Sequence, residues 1–120
     1  MVSRGALIGL VLAVLAATAG MEWWRERHDG QLGAQLATSA QRGDILMLSS
    51  ATCVFCDRAR RWMQVHQVQF TECFVERDAD CAQRYRLAGG RGTPTLLVRQ
   101  QVQLGFSPQQ VLAALPARGG

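Results

Sequence analysis

An uncharged run near the N-terminus limits how much of the chain can fold as a soluble domain. Residues 5–20 read GALIGLVLAVLAATAG and follow Arg4. A basic residue followed by an apolar run is typical of an export signal or a membrane anchor, and the segment 5–24 is close to the length that spans a bilayer. We therefore predict that residues 1–29 form a transmembrane anchor or signal peptide plus a short linker, with residues 5–24 in contact with the membrane.

The residues around this run indicate its orientation. Trp23 and Trp24 stand where interfacial aromatic residues occur, and Arg4 is expected to stay on the inner side of the membrane. The C-terminal domain would then be membrane-anchored and face the periplasm or the outside. Two alternatives stay open. Cleavage after Ala19, at the small-residue sequence 17–19, would secrete the domain to the periplasm. A buried helix of a cytoplasmic domain is the other.

Residues 30–117 are long enough for one small domain with a single core. The chain has a formal net charge of +4. Its Arg residues are scattered and interrupted by Asp57, Glu76 and Asp78, whereas nucleic-acid binders more often carry a stripe of basic charge with interleaved aromatic residues. We therefore predict no nucleic-acid partner, and we expect a monomer.

Apolar periodicity predicts that helices and strands alternate after residue 30. In the predicted helix that follows residue 53, Phe55, Ala59, Trp62 and Met63 recur at three- and four-residue steps and define a buried face. Tyr85 and Leu87 are predicted to anchor a later helix to the sheet. The predicted order is a lead-in helix over 30–43, a buried strand at 44–50, a helix over 54–66, a parallel strand at 68–75, a short helix within 77–90, a hairpin of 95–99 and 102–104, and a last helix capped by Ser107.

Two cysteines lie where the first strand meets the first helix of this domain. A thiolate is stabilised at a helix N-terminus, so Cys53 is predicted to be the exposed nucleophile. Cys56 lies one turn further on and is predicted to be the buried resolving cysteine. A static disulfide or half of a metal site would be alternative interpretations. A zinc site usually needs a second close pair, and Cys73 and Cys81 have seven residues between them, so no metal site is predicted.

The segment from Ile45 to Leu115 resembles the glutaredoxin family. The resemblance rests on CVFC after a buried strand, on Thr93-Pro94 about forty residues later, and on the hairpin, Gly105 and last helix that follow. It implies an α/β, thioredoxin-like fold of the glutaredoxin type: a four-stranded mixed sheet flanked by helices, here preceded by an N-terminal hydrophobic helix. It also implies a thiol–disulfide oxidoreductase that acts on protein or small-thiol disulfides.

The resemblance further implies a cis peptide bond between Thr93 and Pro94. The backbone of Thr93 would then pair with the bound substrate. We assign Thr93 and Pro94, together with Val54 and Phe55 between the cysteines, to substrate binding.

Several positions depart from the glutaredoxin pattern. Val54-Phe55 replaces the usual Pro-Tyr, so the direction of electron flow cannot be carried over. Residues 49–52 lack the basic residue that often precedes the motif in glutathione users, and Gly105-Phe106 replaces a glycine pair that receives glutathione. We therefore predict no bound cofactor, with glutathione as the alternative.

The second cysteine pair is assigned to a structural disulfide between Cys73 and Cys81, because the loop is short enough for the two residues to approach. Two buried free thiols, or a redox or metal role, are the alternatives. For the whole chain, two rivals to redox exchange stay open. One is a metal-binding or metal-delivery module that uses Cys53 and Cys56, and the other is a non-catalytic interaction domain with the same fold.

Overall fold

A computed structural model describes residues 1–116, and the predicted end of the domain at residue 117 lies just outside the described residues. The chain divides into two compact units, Met1–Gln31 and Leu32–Gly120. The elements in chain order are α1 (Arg4–Ser39), β1 (Ile45–Ser49), α2 (Val54–Val65), β2 (Thr71–Phe74), α3 (Ala79–Leu87), β3 (Thr95–Val98), β4 (Gln101–Leu104) and α4 (Pro108–Ala114).

The four strands form one mixed sheet in the order β2-β1-β3-β4. Strand β1 is parallel to β2, with Met47 opposite Glu72, and antiparallel to β3, with Leu48 opposite Thr95. Strand β4 pairs with β3 in a hairpin. The predicted four-stranded mixed sheet is therefore confirmed, and β1 is its central, buried strand because its apolar residues are covered on both faces.

The main core lies on one face of the sheet. Alternate residues of a strand point to the same face, so Ile45 and Met47 of β1 share it with Leu96 and Val98 of β3. Helices α2 and α4 and the end of α1 cover this face, with Ala59, Met63, Val111, Leu36 and Ala40 in the core. Among the described residues, α3 packs on the opposite face of the sheet, with Cys81 as its buried residue.

Side-chain caps fix where the helices begin. The hydroxyl of Ser107 accepts from the backbone N–H of Gln110 at 3.4 Å, and Pro108 takes the first position of α4. The carboxylate of Asp78 accepts from the backbone N–H of Asp80 at 2.9 Å and starts α3. The predicted Ser107 cap of the last helix is confirmed.

Two predicted boundaries differ from the structure. Helix α1 runs from Arg4 to Ser39, so the predicted lead-in helix over 30–43 is its last part and ends four residues earlier than predicted. No proline interrupts this stretch, and its Glu, Arg, Gln and Ala residues favour helix. Strand β2 begins at Thr71 and not at Val68, because the N–H of Val68 donates to the carbonyl of Met63 and closes the end of α2.

Two apolar side chains that were predicted to be buried are exposed to solvent. Phe55 on the first turn of α2 is 64% exposed, and Leu87 at the end of α3 is 80% exposed. Phe55 precedes the buried face that begins at Cys56, and Leu87 is the last residue of a helix only nine residues long. The predictions that they pack against the sheet are wrong.

The first unit consists of the N-terminal part of α1. This helix is long and apolar enough to cross a membrane, and its apolar window has no buried residues. A signal sequence near an N-terminus has the same properties, so the helix fits both the anchor and the cleaved peptide.

A disulfide joins β2 to α3. Cys73 and Cys81 have Cα atoms 6.0 Å apart, and Cys81 is the buried residue of α3. The bond restricts the unfolded chain by closing a loop with a sequence separation of 8.

We expect the double variant Cys73→Ala/Cys81→Ala to lose about 2 kcal/mol of unfolding free energy, since a loop of this length removes that much chain entropy from the unfolded state. Urea unfolding of the full chain in neutral detergent, without reductant, measures it. The control is the same comparison with excess reductant, where wild type and variant should converge. Equal stability without reductant would contradict the structural role.

Candidate active site

The cysteine pair lies at the junction of β1 and α2. Cys53 is the N-cap of α2, and its sulfur accepts from the backbone N–H of Cys56 at 3.1 Å. The two residues are joined by a disulfide, with Cα atoms 5.2 Å apart. Cys53 is partly exposed and Cys56 is fully buried. An incoming group can therefore approach Cys53 but not Cys56. The assignment of Cys53 as nucleophile and Cys56 as resolving cysteine stays a prediction.

The two residues between the cysteines form an apolar surface. Val54 is 60% exposed, and the guanidinium of Arg58 lies 5.8 Å from the centroid of the Phe55 ring. Both residues belong to the first turn of α2, between the two cysteines. Their assignment to substrate binding stays a prediction.

The loop before β3 lies at the same end of the sheet. The peptide bond between Thr93 and Pro94 is cis, the conformation that the family resemblance implies. Because Thr95 pairs with Leu48 in antiparallel register, the loop lies beside the segment that leads from β1 to Cys53. The carbonyl of Pro94 accepts from the N–H of Gly105 at 2.8 Å, which ties this loop to the end of β4.

A carboxylate holds the segment between β1 and Cys53. The hydroxyl of Ser50 donates to Glu76, and the N–H of Ala51 donates to the same carboxylate at 3.2 Å. The hydrogen bond from Ser50 is the main reason that the pKa of Glu76 lies below its ordinary value. In the sequence Glu76 is recognisable only as an interruption of the basic charge, so this contact was not predicted.

A partly buried ion pair joins α2 to β2. The guanidinium of Arg60 donates to both carboxylate oxygens of Glu72, each at 2.7 Å, and also to Asp57 at 2.8 Å. The hydroxyl of Ser49, fully buried at the end of β1, donates to Glu72 at 2.6 Å. Sequence reasoning missed this network. Its one signal was an acidic residue within an otherwise apolar strand, where an unpaired charge would be costly.

This network shifts the pKa values of Glu72 and Arg60. Burial raises the pKa of Glu72, but the hydrogen bonds from Arg60 and Ser49 lower it by more, so the net pKa lies below the ordinary value. The hydrogen bond to Glu72, with a smaller contribution from Asp57, raises the pKa of Arg60. Both groups are therefore charged at neutral pH. Arg60 is engaged with these carboxylates and does not serve the sulfur of Cys53.

Within residues 1–116 no three His, Cys, Asp or Glu side chains come together as a metal site. All four cysteines of this stretch are in disulfides. Each disulfide joins a partly exposed cysteine, Cys53 or Cys73, to a buried one, and the Cys53–Cys56 pair differs in that Cys53 is the N-cap of a helix.

Comparison with known proteins identifies the domain type. A family model described as glutaredoxin matches residues 45–103. The glutaredoxin-like protein NrdH-redoxin from Escherichia coli is similar at 26% identity with a TM-score of 0.52, covering 61% of this chain and 96% of that chain. Methanosarcina acetivorans methanoredoxin, at 22% identity with a TM-score of 0.52, covers 66% of this chain and 90% of its own, and shows the same fold. No curated protein sequence matches this chain significantly.

We expect Glu72→Gln to lower the unfolding free energy by about 2 kcal/mol at neutral pH, because it leaves the partly buried Arg60 with Asp57 alone. The native pKa of Glu72 is depressed, so its stabilisation is complete above the unfolded value of 4.5 and is lost as the pH falls through the native pKa. The gap between wild type and variant should therefore narrow in acid. Urea unfolding against pH measures both effects.

The matched control is Asp57→Asn, which removes the more exposed partner of Arg60 and keeps Glu72. Its cost should stay below about 1 kcal/mol. A Glu72→Gln variant as stable as wild type, or a gap that does not narrow in acid, would contradict the assigned ion pair.

Proposed function

Because residues 45–103 belong to the glutaredoxin family, we propose that the Cys53–Cys56 pair exchanges disulfides with protein or small-thiol partners outside the cytoplasm. One observation carries the proposal: Cys53, a partly exposed residue, caps α2 with its sulfur, and the buried Cys56 lies one turn further on. This arrangement gives the two sulfurs different access to a partner.

The cysteine pair and its partner together supply all the atoms and electrons of the exchange. In the reduced form, the Cys53 thiolate attacks one sulfur of the partner disulfide, so a mixed disulfide forms and the other partner sulfur leaves as a thiolate that takes up a proton. Cys56 then loses its proton and attacks the sulfur of Cys53, which releases the second partner thiol. Two electrons pass from the pair to the partner, and the same steps in reverse oxidise a partner dithiol.

The start of α2 favours the attacking form of Cys53. Free backbone N–H groups at a helix N-terminus stabilise a negative charge, and the N–H of Cys56 already points at the sulfur at 3.1 Å. Among the arginines of α2, Arg60 is bound by Glu72 and Asp57. The helix terminus, and not the basic run, is therefore the main source of thiolate stabilisation in this proposal.

The partner would bind across the exposed face of the junction. Val54 and Phe55 would contact apolar side chains beside the partner cysteine, and the backbone of Thr93 before Pro94 would pair with its main chain. We propose no bound cofactor, with glutathione at most a small-thiol substrate. The carboxylate of Glu76 accepts hydrogen bonds from the segment that leads to Cys53, so an acidic group contacts the segment in which glutathione users often carry a basic residue.

We further propose that residues 5–24 remain in the protein as a membrane anchor and that the domain faces the periplasm or the outside as a monomer. The uninterrupted apolar helix supports the anchor, and Arg4 ahead of the helix supports the orientation.

The variant Cys56→Ser should trap the mixed disulfide, because the resolving sulfur is absent. Reduced full-length protein in neutral detergent is treated with bis(2-hydroxyethyl) disulfide, and mass spectrometry of its peptides should find one hydroxyethylthio group on Cys53. The variant Cys53→Ser should form no such adduct. The control Cys73→Ala/Cys81→Ala should keep wild-type exchange rates. An adduct that forms on Cys56 as readily as on Cys53 would overturn the assigned roles.

The N-terminus of the mature protein distinguishes an anchor from a cleaved signal. We expect the mass of the protein isolated from membranes to include residues 1–24, and alkaline extraction should leave it in the membrane pellet. An Ala19→Leu variant, which removes the small-residue cleavage sequence, should give the same product. A mature chain that begins at Gly20 and is released in soluble form would contradict the anchor.

A further inference from the structure

A groove lies on the face of the sheet that α3 covers. Three adjoining hollows run between α3 and the β3–β4 hairpin, and the largest has a volume of about 550 Å³. Neighbouring hollows share lining residues, so they form one continuous depression. We call it the α3 groove and define it by Leu97, Val102 and Leu104 of the hairpin and by Arg84, Arg91 and Arg99.

The apolar floor of the α3 groove is open to solvent. Val102 is 52% exposed and Leu104 is 59% exposed, and Leu87 at the edge is more exposed still. Leu97 and Val102 are paired across the hairpin, so they stand on the same face of the sheet. Helix α3 is too short to cover this face. A contiguous apolar surface of this kind typically marks an interaction site.

The rim of the α3 groove is positively charged. Within residues 1–116, Arg84 and Arg91 form no ion pair. Arg99 lies 3.6 Å from Asp44, at the long end of an ion pair, and is about half exposed. The apolar floor and the basic rim together are complementary to a peptide segment that carries both apolar and acidic side chains.

The α3 groove leads to the candidate active site. The hollow nearest that end is lined by Thr95, Leu104 and Arg91, and Thr95 directly follows Pro94. The hollow at the other end is lined by Gly43 and Asp44, ahead of β1. The groove therefore runs the length of the strands, roughly 15 Å, which fits about four or five extended residues.

We propose that the α3 groove binds an extended segment of the protein partner, acidic and apolar in composition, that adjoins the partner's reactive cysteine. This inference rests on the proposed function, since the segment continues from a cysteine held at Cys53. The concave shape, with arginines on both sides of an apolar floor, fits a single chain segment better than a flat membrane surface. The groove would make the protein select disulfides next to acidic and apolar residues.

Two peptide probes test this selectivity. Each carries one cysteine activated as a 2-thiopyridyl disulfide beside a short extension, in which Leu alternates with Glu in one peptide and with Lys in the other. Rate constants are measured with reduced full-length protein in neutral detergent and normalised to the 2-thiopyridyl disulfide of 2-mercaptoethanol. We expect the Glu peptide to react roughly tenfold faster than the Lys peptide, and less so at high salt.

The ratio of the two rates should fall close to one in Arg84→Gln/Arg91→Gln. The matched control is Arg86→Gln, an exposed arginine of the same helix that does not line the groove, and it should keep the wild-type ratio. A wild-type ratio near one, or a ratio that survives the double substitution, would overturn the groove while leaving disulfide exchange intact. Failure with the small disulfide as well would overturn the proposed function.

Binding of a fluorescent, cysteine-free Glu peptide, followed by anisotropy, tests the groove independently of thiol chemistry. We expect binding to wild type and its loss in Arg84→Gln/Arg91→Gln. Two results would overturn the proposal in favour of another occupant. One is a dimer in light scattering that the double substitution dissociates. The other is hydrogen-exchange protection of residues 84–104 on adding phosphatidylglycerol to the detergent, with no protection by the peptide.

Discussion

The sulfur of Cys53 begins helix α2, and the surrounding structure holds that junction in place. On one side the carboxylate of Glu76 accepts hydrogen bonds from the segment that leads to Cys53. On the other side Glu72 of β2 binds Arg60 of α2 with both oxygens. Both carboxylates come from the strand parallel to β1 or from the turn that follows it. The sheet thus fixes where the helix starts, and the helix start fixes which sulfur is accessible and can carry negative charge.

The two disulfides have different surroundings, and we assign them different roles. The Cys53–Cys56 bond lies at the partly exposed helix terminus, whereas the Cys73–Cys81 bond joins β2 to the buried side of α3. The second bond fastens the N-terminal end of α3, and the other end of that helix stands away from the hairpin and leaves a basic, apolar groove. One cysteine pair is thus suited to exchange, while the other shapes the surface along which a partner could lie.

Much of the fold could be predicted because its signals are local. Four consecutive apolar residues marked β1, and Ser107 with Pro108 marked the start of α4. The ion pair of Arg60 with Glu72 could not be predicted. The two residues are 12 apart in sequence, and their contact depends on the register of β1 with β2. Leu87 was predicted to anchor α3 to the sheet, but it is the last residue of that helix and is exposed. In the candidate site, the cysteines and the Thr93–Pro94 loop could be predicted from the sequence. The contacts of the Glu72 and Glu76 carboxylates could not.

Whether the start of α2 activates Cys53 can be measured by alkylating each cysteine with iodoacetamide as a function of pH, in reduced full-length protein, and resolving the products by mass spectrometry. We expect Cys53 to react first, at a rate already close to its plateau at neutral pH, because the start of α2 stabilises its thiolate. Cys56, which is buried, should react far more slowly. A Cys53 rate that keeps rising up to about pH 8.5, as for an ordinary free thiol, or a faster reaction at Cys56, would contradict the account.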